Sequence, residues 1–196
     1  LKEGVSGAAP ITYFDTSEFK TKFACELKGY DPKDYLDRRE QRRMDAFTHY
    51  GLIATDEAIR DACLDFEKLD RTRIGVVVGS GIGGIQTFEE QIGEYHHRHK
   101  EGGPKFNPFF IPKMIIDLMP GHISMRYGLQ GPNYSAVSAC ATATNNIIDG
   151  WMLIQQGPAD VVIVGGAEAA ITEGGIGGFN AMKALRERND SPETAS

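Results

Sequence analysis

The pattern of apolar and polar positions changes character several times along the chain, and each change predicts an element. Across residues 34–65, Met44, Phe47, Leu52, Ile53, Ile59 and Leu64 recur at spacings near three or four, the period of one buried helix face. This predicts a long helical region that breaks once between Asp45 and Gly51. Ile74-Gly75-Val76-Val77-Val78 is apolar throughout and rich in β-branched residues, as a short strand in the buried middle of a sheet requires. A helix is expected over residues 87–99 and a loop over the Gly-, Pro- and Phe-rich residues 101–112. A further helical stretch over 113–127 is interrupted or restarted near Pro120-Gly121, and Gly131-Pro132 turns the chain into a short strand at 133–138. Residues 141–156 read as a helix stopped by Gly157-Pro158, because glycine ends helices and proline cannot continue them. Val161-Val162-Ile163-Val164 is a second fully apolar strand, and the first thirty residues, with little periodicity, read as loops.

Strands that alternate with helices and are apolar on both faces predict an α/β fold, a buried sheet with helices on both sides. Hydrophobic residues make up 41% and charged residues 24%, a balance that supports a packed core rather than disorder. The net charge of -6 argues against nucleic acid as a partner, since phosphates call for a basic face. No apolar run reaches the roughly 20 residues that cross a bilayer, and the opening residues do not read as a leader, so no membrane partner and a cytoplasmic location are expected. Cys25, Cys63 and Cys140 are odd in number and widely spaced. They make neither a disulfide framework nor a metal-ligand pattern, so a reducing compartment and no metal are expected. The chain opens without methionine and closes in a polar stretch at 191–196; both ends read as cuts through a longer protein.

The most informative stretch is Ser138-Ala139-Cys140-Ala141-Thr142-Ala143-Thr144. It places a cysteine between a strand end, which gives a rigid seat, and the first turn of a helix. Unpaired N–H groups and the positive end of the helix dipole favour an anionic sulfur there, and small neighbours leave room for a substrate. On these residues alone, a small thiol filling a gap between strand and helix competes with an activated nucleophile.

The surrounding residues decide between them. Gly128-Leu129-Gln130-Gly131-Pro132-Asn133-Tyr134-Ser135-Ala136-Val137-Ser138-Ala139-Cys140 closely resembles the segment that leads to the active-site cysteine of β-ketoacyl synthases. The resemblance extends upstream to Leu36-Asp37-Arg38-Arg39, Arg43-Met44-Asp45, Gly79-Ser80-Gly81-Ile82-Gly83-Gly84 and Asn107-Pro108-Phe109-Phe110-Ile111-Pro112. Downstream it takes in Gly157-Pro158-Ala159-Asp160, Val164-Gly165-Gly166-Ala167-Glu168, Gly177-Gly178-Phe179 and Ala184-Leu185-Arg186. It is strongest to the elongating bacterial fatty-acid type.

This resemblance implies a thiolase-like fold of two similar βαβαβ halves. Residues 1–196 would be the N-terminal part, without the Gly-rich first strand and without the C-terminal half. It implies a decarboxylative Claisen condensation in which Cys140 carries the acyl group and backbone N–H groups, that of Cys140 among them, hold the oxyanion. The family's two catalytic histidines lie in the second half, and none of His49, His96, His97, His99 and His122 falls in a matching motif. The 196 residues alone are therefore not expected to complete the condensation. Ile82, Phe110 and Phe179 align with positions that line or gate the acyl pocket, although ordinary core suits the same residue types. Arg39, Arg42, Arg43 and Lys183 align with a basic patch for acyl carrier protein, against the plainer reading of a solvated helix face. The strand at 133–138 matches one that pairs across a dimer interface, so a homodimer is expected. No cofactor of the chain's own is implied, because the phosphopantetheine arm arrives on the carrier protein. The rival readings are a non-catalytic synthase-like subunit that sets chain length, a polyketide-type ketosynthase, and a thiolase.

Two other signals are discounted. Gly79-x-Gly81-x-x-Gly84 after a strand fits the dinucleotide fingerprint, but the stretch 91–103, where a second strand ending in an acid belongs, is polar and charged. His96-His97-Arg98-His99 lacks the spacing of a metal site and reads as a solvated helix end.

Overall fold

In the computed structural model, which describes residues 2–98 and 103–195, the opening stretch that reads as loops contains two short strands. These are β1 (Ala9–Pro10) and β2 (Phe23–Ala24), paired antiparallel. The helical region at 34–65 resolves into α1 (Arg38–Arg43) and α2 (Ala46–Asp61), with the break at Met44-Asp45. Strand β3 (Ile74–Gly79) and helix α3 (Ile85–Arg98) follow as the apolar pattern predicts; His99 lies outside the described residues. Helix α4 (Phe110–Met114) begins inside the expected loop, and α5 (Leu118–Tyr127) runs through Pro120-Gly121. The restart lies before Leu118 because Pro120 stands third in α5, where a missing N–H breaks no intrahelical bond. Strand β4 (Asn133–Tyr134) is shorter than the expected 133–138. Helix α6 (Thr142–Gln156) ends at Gly157, which takes φ 91°. Strand β5 (Val161–Gly166) and helix α7 (Glu173–Ala181) complete the order.

These elements form two compact units: Pro32–Ala169, and the chain up to Asp31 together with the chain from Ala170 onward. In the first, the sheet order is β4-β3-β5 and both pairings are parallel. Alternation along β3 sends Ile74, Val76 and Val78 to a core shared with Phe47 and Leu52 of α2 and Met119 and Ile123 of α5. Each such buried side chain contributes about 1.5–3 kcal/mol. The opposite face of β3 meets α6, where a Cβ on Gly79 would lie 2.9 Å from Thr142 Cγ2. Helices therefore cover both faces of β3, which is buried along its whole length, whereas β5, read from its apolar run as buried too, is partly exposed because it stands at the sheet's edge.

Polar side chains fix how the helices enter this core. Asp45 is buried and its Oδ1 caps the start of α2 at the Phe47 N–H, 3.4 Å away. Its other oxygen accepts from the Thr87 N–H at 2.9 Å and the Thr87 hydroxyl at 2.5 Å, so one carboxylate caps α2 and α3 together. Arg126 of α5 donates to Glu40 of α1 at 2.5 Å and to Asp56 of α2 at 2.7 Å. The Tyr127 hydroxyl donates to the same Asp56 at 2.5 Å, and burial with this bond pushes its pKa up to about 12.

In the second unit, the Asn180 amide on α7 exchanges hydrogen bonds with Thr21: the Thr21 N–H donates to Oδ1 at 3.3 Å and Nδ2 donates to the Thr21 hydroxyl at 2.8 Å. Asn189 does the same for its neighbours, accepting from the Lys22 N–H and donating to the Lys20 carbonyl. Two asparagines thus join the two chain ends. Among the described residues no helix is long and apolar enough to cross a membrane.

Two predictions follow from the buried polar groups. Asp45→Ala leaves the Thr87 N–H without its acceptor and is expected to cost about 3 kcal/mol in denaturant unfolding, with Asp45→Asn milder. His49 is buried, its Nε2 has no hydrogen-bond partner among the described residues, and burial pulls its pKa from 6.5 to about 4. Between pH 6.5 and 4 the unfolded chain takes up a proton that the folded one refuses, so stability falls as the pH falls. The loss reaches about 3 kcal/mol by pH 4, and His49→Gln is expected to flatten that limb of the stability–pH curve.

Candidate active site

Cys140 lies in a single 3-10 turn, Ala139–Ala141, that runs directly into α6, and it is exposed. The residue before it, Ala139, has φ 50°. That left-handed conformation costs an alanine about 1–2 kcal/mol and persists only where the surroundings enforce it. No side chain caps the start of α6; the Ala141 N–H donates to the Ser138 carbonyl and the Thr142 N–H to the Ala139 carbonyl, and the positive end of the helix dipole lies at the turn that carries the thiol.

The three cysteines are all exposed, so exposure does not distinguish them; their seats do. Cys63 stands just past the C-cap Ala62 of α2, at the negative end of that helix, with its sulfur 3.8 Å from the Asp61 carbonyl oxygen. Cys25 follows the two-residue strand β2. Only Cys140 adjoins a helix N-terminus.

The segment leading to Cys140 leaves the sheet after Tyr134, and side chains take over from the ladder. The Ser135 hydroxyl donates to the Val78 carbonyl. The Ala136 N–H donates to Asn146 Oδ1 at 3.1 Å and the Ser138 N–H to Thr142 Oγ1 at 3.0 Å. Asn145 Nδ2 donates to the Ser138 hydroxyl at 2.6 Å. These side-chain bonds explain why the strand expected over 133–138 keeps only two ladder residues.

Beside this turn lies the glycine cluster after β3. A Cβ on Gly81 would stand 3.1 Å from the Ala139 carbonyl oxygen. The N–H groups of Gly81 and Ile82 both donate to Glu168 Oε2, at 2.8 and 2.9 Å, while the Ser80 hydroxyl donates to Glu168 Oε1 at 2.8 Å. The amides that a dinucleotide phosphate would need are thus engaged by the chain's own carboxylate. On the far side of the cluster, the Gly84 N–H donates to the Met114 carbonyl at the end of α4.

Ile82, 41% exposed, sits in this glycine turn next to the cysteine turn. Phe110 starts α4, half-buried, stacked at 5.3 Å on Phe106 and 6.4 Å from Phe88. The structure therefore brings Cys140, Ile82 and the helix of Phe110 to adjoining positions in one unit. Arg39, Arg42 and Arg43 are exposed along α1, and the Arg43 guanidinium lies 5.5 Å over the Phe109 ring. Phe179, half-buried on α7, and Lys183, exposed with φ 58° just past it, belong to the other unit. His96 and His97 are exposed at the end of α3.

Sequence reasoning passes over three contributors: Glu168, Thr142 and Asn146. Glu168 is quoted there only as part of a motif, although an acid after a strand-ending Gly-Gly suits a neighbouring glycine turn. Asn146 is a lone amide on a helix face that packs against a sheet.

The chain's residues 1–196 match the family model described as "Beta-ketoacyl synthase, N-terminal domain". It is 44% identical over 98% of its length to 3-oxoacyl-[acyl-carrier-protein] synthase 2 of Staphylococcus aureus, covering 47% of that protein. It is 42% identical over its whole length to the protein of the same name from Vibrio cholerae, again covering 47% of it. Its fold superposes, with a TM-score of 0.83 and 23% identity, on a crystal structure of a β-ketoacyl synthase from Burkholderia phymatum, covering all of this chain and 47% of that one. The chain spans about half the length of the curated relatives it matches.

Glu168→Ala is expected to release the Gly81 and Ile82 amides, with hydrogen exchange at both faster by about tenfold or more. Unchanged protection would mean that the turn does not depend on the carboxylate.

Proposed function

Taking as premise that the chain belongs to the β-ketoacyl synthase family, we propose that it is the N-terminal half of an elongating 3-oxoacyl-acyl-carrier-protein synthase whose nucleophile is Cys140. The observation that carries this reading is the seat of Cys140, an exposed thiol on a strained turn at the uncapped start of α6. The names of the two bacterial relatives, both above 40% identity, support the reaction.

In the proposed cycle, the Cys140 sulfur attacks the thioester of an acyl group borne on the phosphopantetheine arm of an acyl carrier protein. The carrier thiol leaves with the proton, and Cys140 is left acylated. Malonyl-carrier protein then loses CO2, and the electron pair of the broken carbon–carbon bond forms a new bond to the acyl carbonyl. Collapse of the tetrahedral oxyanion expels the Cys140 sulfur and yields the 3-oxoacyl product, two carbons longer. The Cys140 N–H, given this role by resemblance, and the positive end of the α6 dipole suit the negative charge that develops there.

Ile82, beside the cysteine turn, and Phe110, on the helix whose end meets the glycine turn, suit the acyl tail in this reading, and Phe179 is assigned with them by resemblance. Arg39, Arg42 and Arg43 share one exposed helix, which suits an acidic carrier protein in a chain of net charge -6; Lys183 joins them by resemblance. Strand β4 is an edge of its sheet, with Tyr134 exposed on it and Val137 exposed beyond it, and a sheet edge suits continuation into a second copy in a homodimer. The cytoplasm is the location that fits these substrates.

In the complete protein, Cys140→Ala is expected to lower chain extension from acyl- and malonyl-carrier protein by at least about a thousandfold while the fold is kept. Condensation that survives in Cys140→Ala would remove Cys140 from the mechanism.

A further inference from the structure

Resting on the reading of Cys140 as the nucleophile, we infer that Asn146 is a positioning residue for it. Asn146 stands on the second turn of α6 and is fully buried, at 0% exposure. Its Oδ1 accepts from the Ala136 N–H at 3.1 Å, and its Nδ2 donates to the Gly165 carbonyl at 2.8 Å. Ala136 lies four residues before Cys140, past the last ladder residue of β4; Gly165 lies in β5, opposite Val78 of β3.

Burying an amide is unfavourable unless both its ends are bonded, and packing alone would be met by an apolar side chain. A primary amide accepts from one backbone and donates to another at the same time, which neither an ionised carboxylate nor an alkyl group does. Asn146 therefore ties the pre-cysteine segment to the central sheet at the point where the ladder no longer does so. With the Thr142–Ser138 bond at 3.0 Å, it sets where the strained Ala139–Cys140 turn is held. Its role is exerted through the backbone that carries the sulfur and not by touching substrate.

The test compares wild type, Asn146→Asp and Asn146→Ala in the complete protein. It measures the rate of Cys140 acylation by an acyl-pantetheine thioester across pH, together with the thermal midpoint of each variant. Asn146→Asp is expected to be slower than wild type by about tenfold or more near pH 8. It should regain ground as the pH falls, because a protonated carboxyl donates to the Gly165 carbonyl as the amide does, and burial raises that carboxyl's pKa. Asn146→Ala should be slow at every pH. Variants that acylate at the wild-type rate with the wild-type pH profile, whatever their midpoints, would overturn the inference. Should both fail to fold, Asn146→Ser, smaller and with one hydroxyl that can donate and accept, is measured in the same way. A slower Ser variant supports the inference and a wild-type rate overturns it. A wild type that takes no acyl group at Cys140 defeats the reading of the nucleophile as well, whereas wild-type rates in the variants defeat only the role of Asn146.

Discussion

The arrangement around Cys140 depends on how closely α6 lies against the central strand. Gly79, the last residue of β3, admits that approach: a Cβ there would stand 2.9 Å from Thr142 Cγ2, 3.0 Å from Asn146 Nδ2 and 3.2 Å from the Ala136 carbonyl oxygen. Backbone and buried amide could not yield to it without moving the helix or the segment before Cys140. With the helix so close, its first two turns reach the backbone on either side, Thr142 to Ser138 and Asn146 to Ala136 and Gly165, while Asn145 holds the Ser138 hydroxyl. The cysteine turn is the consequence of that contact.

Stability and register have different sources in this unit. Ile74, Val76, Val78, Phe47, Leu52, Met119 and Ile123 supply a non-directional driving force that fixes no alignment by itself. Alignment comes from directional polar bonds: those of Asp45 and Asn146 are buried and cannot be lost cheaply, and those of Glu168 are made by an exposed side chain. Asp45 holds the starts of α2 and α3 together, Glu168 closes the glycine turn, and Asn146 ties the cysteine segment to the sheet. Each joins parts of the chain that no helix or ladder hydrogen bond connects.

The sequence was legible where one physical signal dominates. β3 and β5 are apolar enough to be read as strands, and Gly157 marks the end of α6 where a residue at φ 91° is needed. The helix start beside Cys140 was legible too, whereas the strand end expected just before the cysteine lies at Tyr134, and a 3-10 turn carries the thiol. Boundaries failed where local and tertiary signals compete. Pro120 reads as an interruption but sits in the tolerant first turn of α5. Residues 133–138 read as a strand after the Gly131-Pro132 turn, yet past Tyr134 the Ala136 and Ser138 N–H groups are bonded by side chains of α6. Asn146 was illegible as a contributor because both its partners are backbone groups, which leave no mark in the identity of the residues that supply them, and the same holds for the Gly81 and Ile82 amides on Glu168.

The most direct measurement is the intact mass and peptide map of the complete protein after incubation with a long-chain acyl-carrier protein, without malonyl donor. The account predicts one acyl group per chain, held as a hydroxylamine-labile thioester on the Cys140 peptide, with Cys25 and Cys63 unmodified. An unmodified protein, or acyl groups spread evenly over the three cysteines, would contradict it.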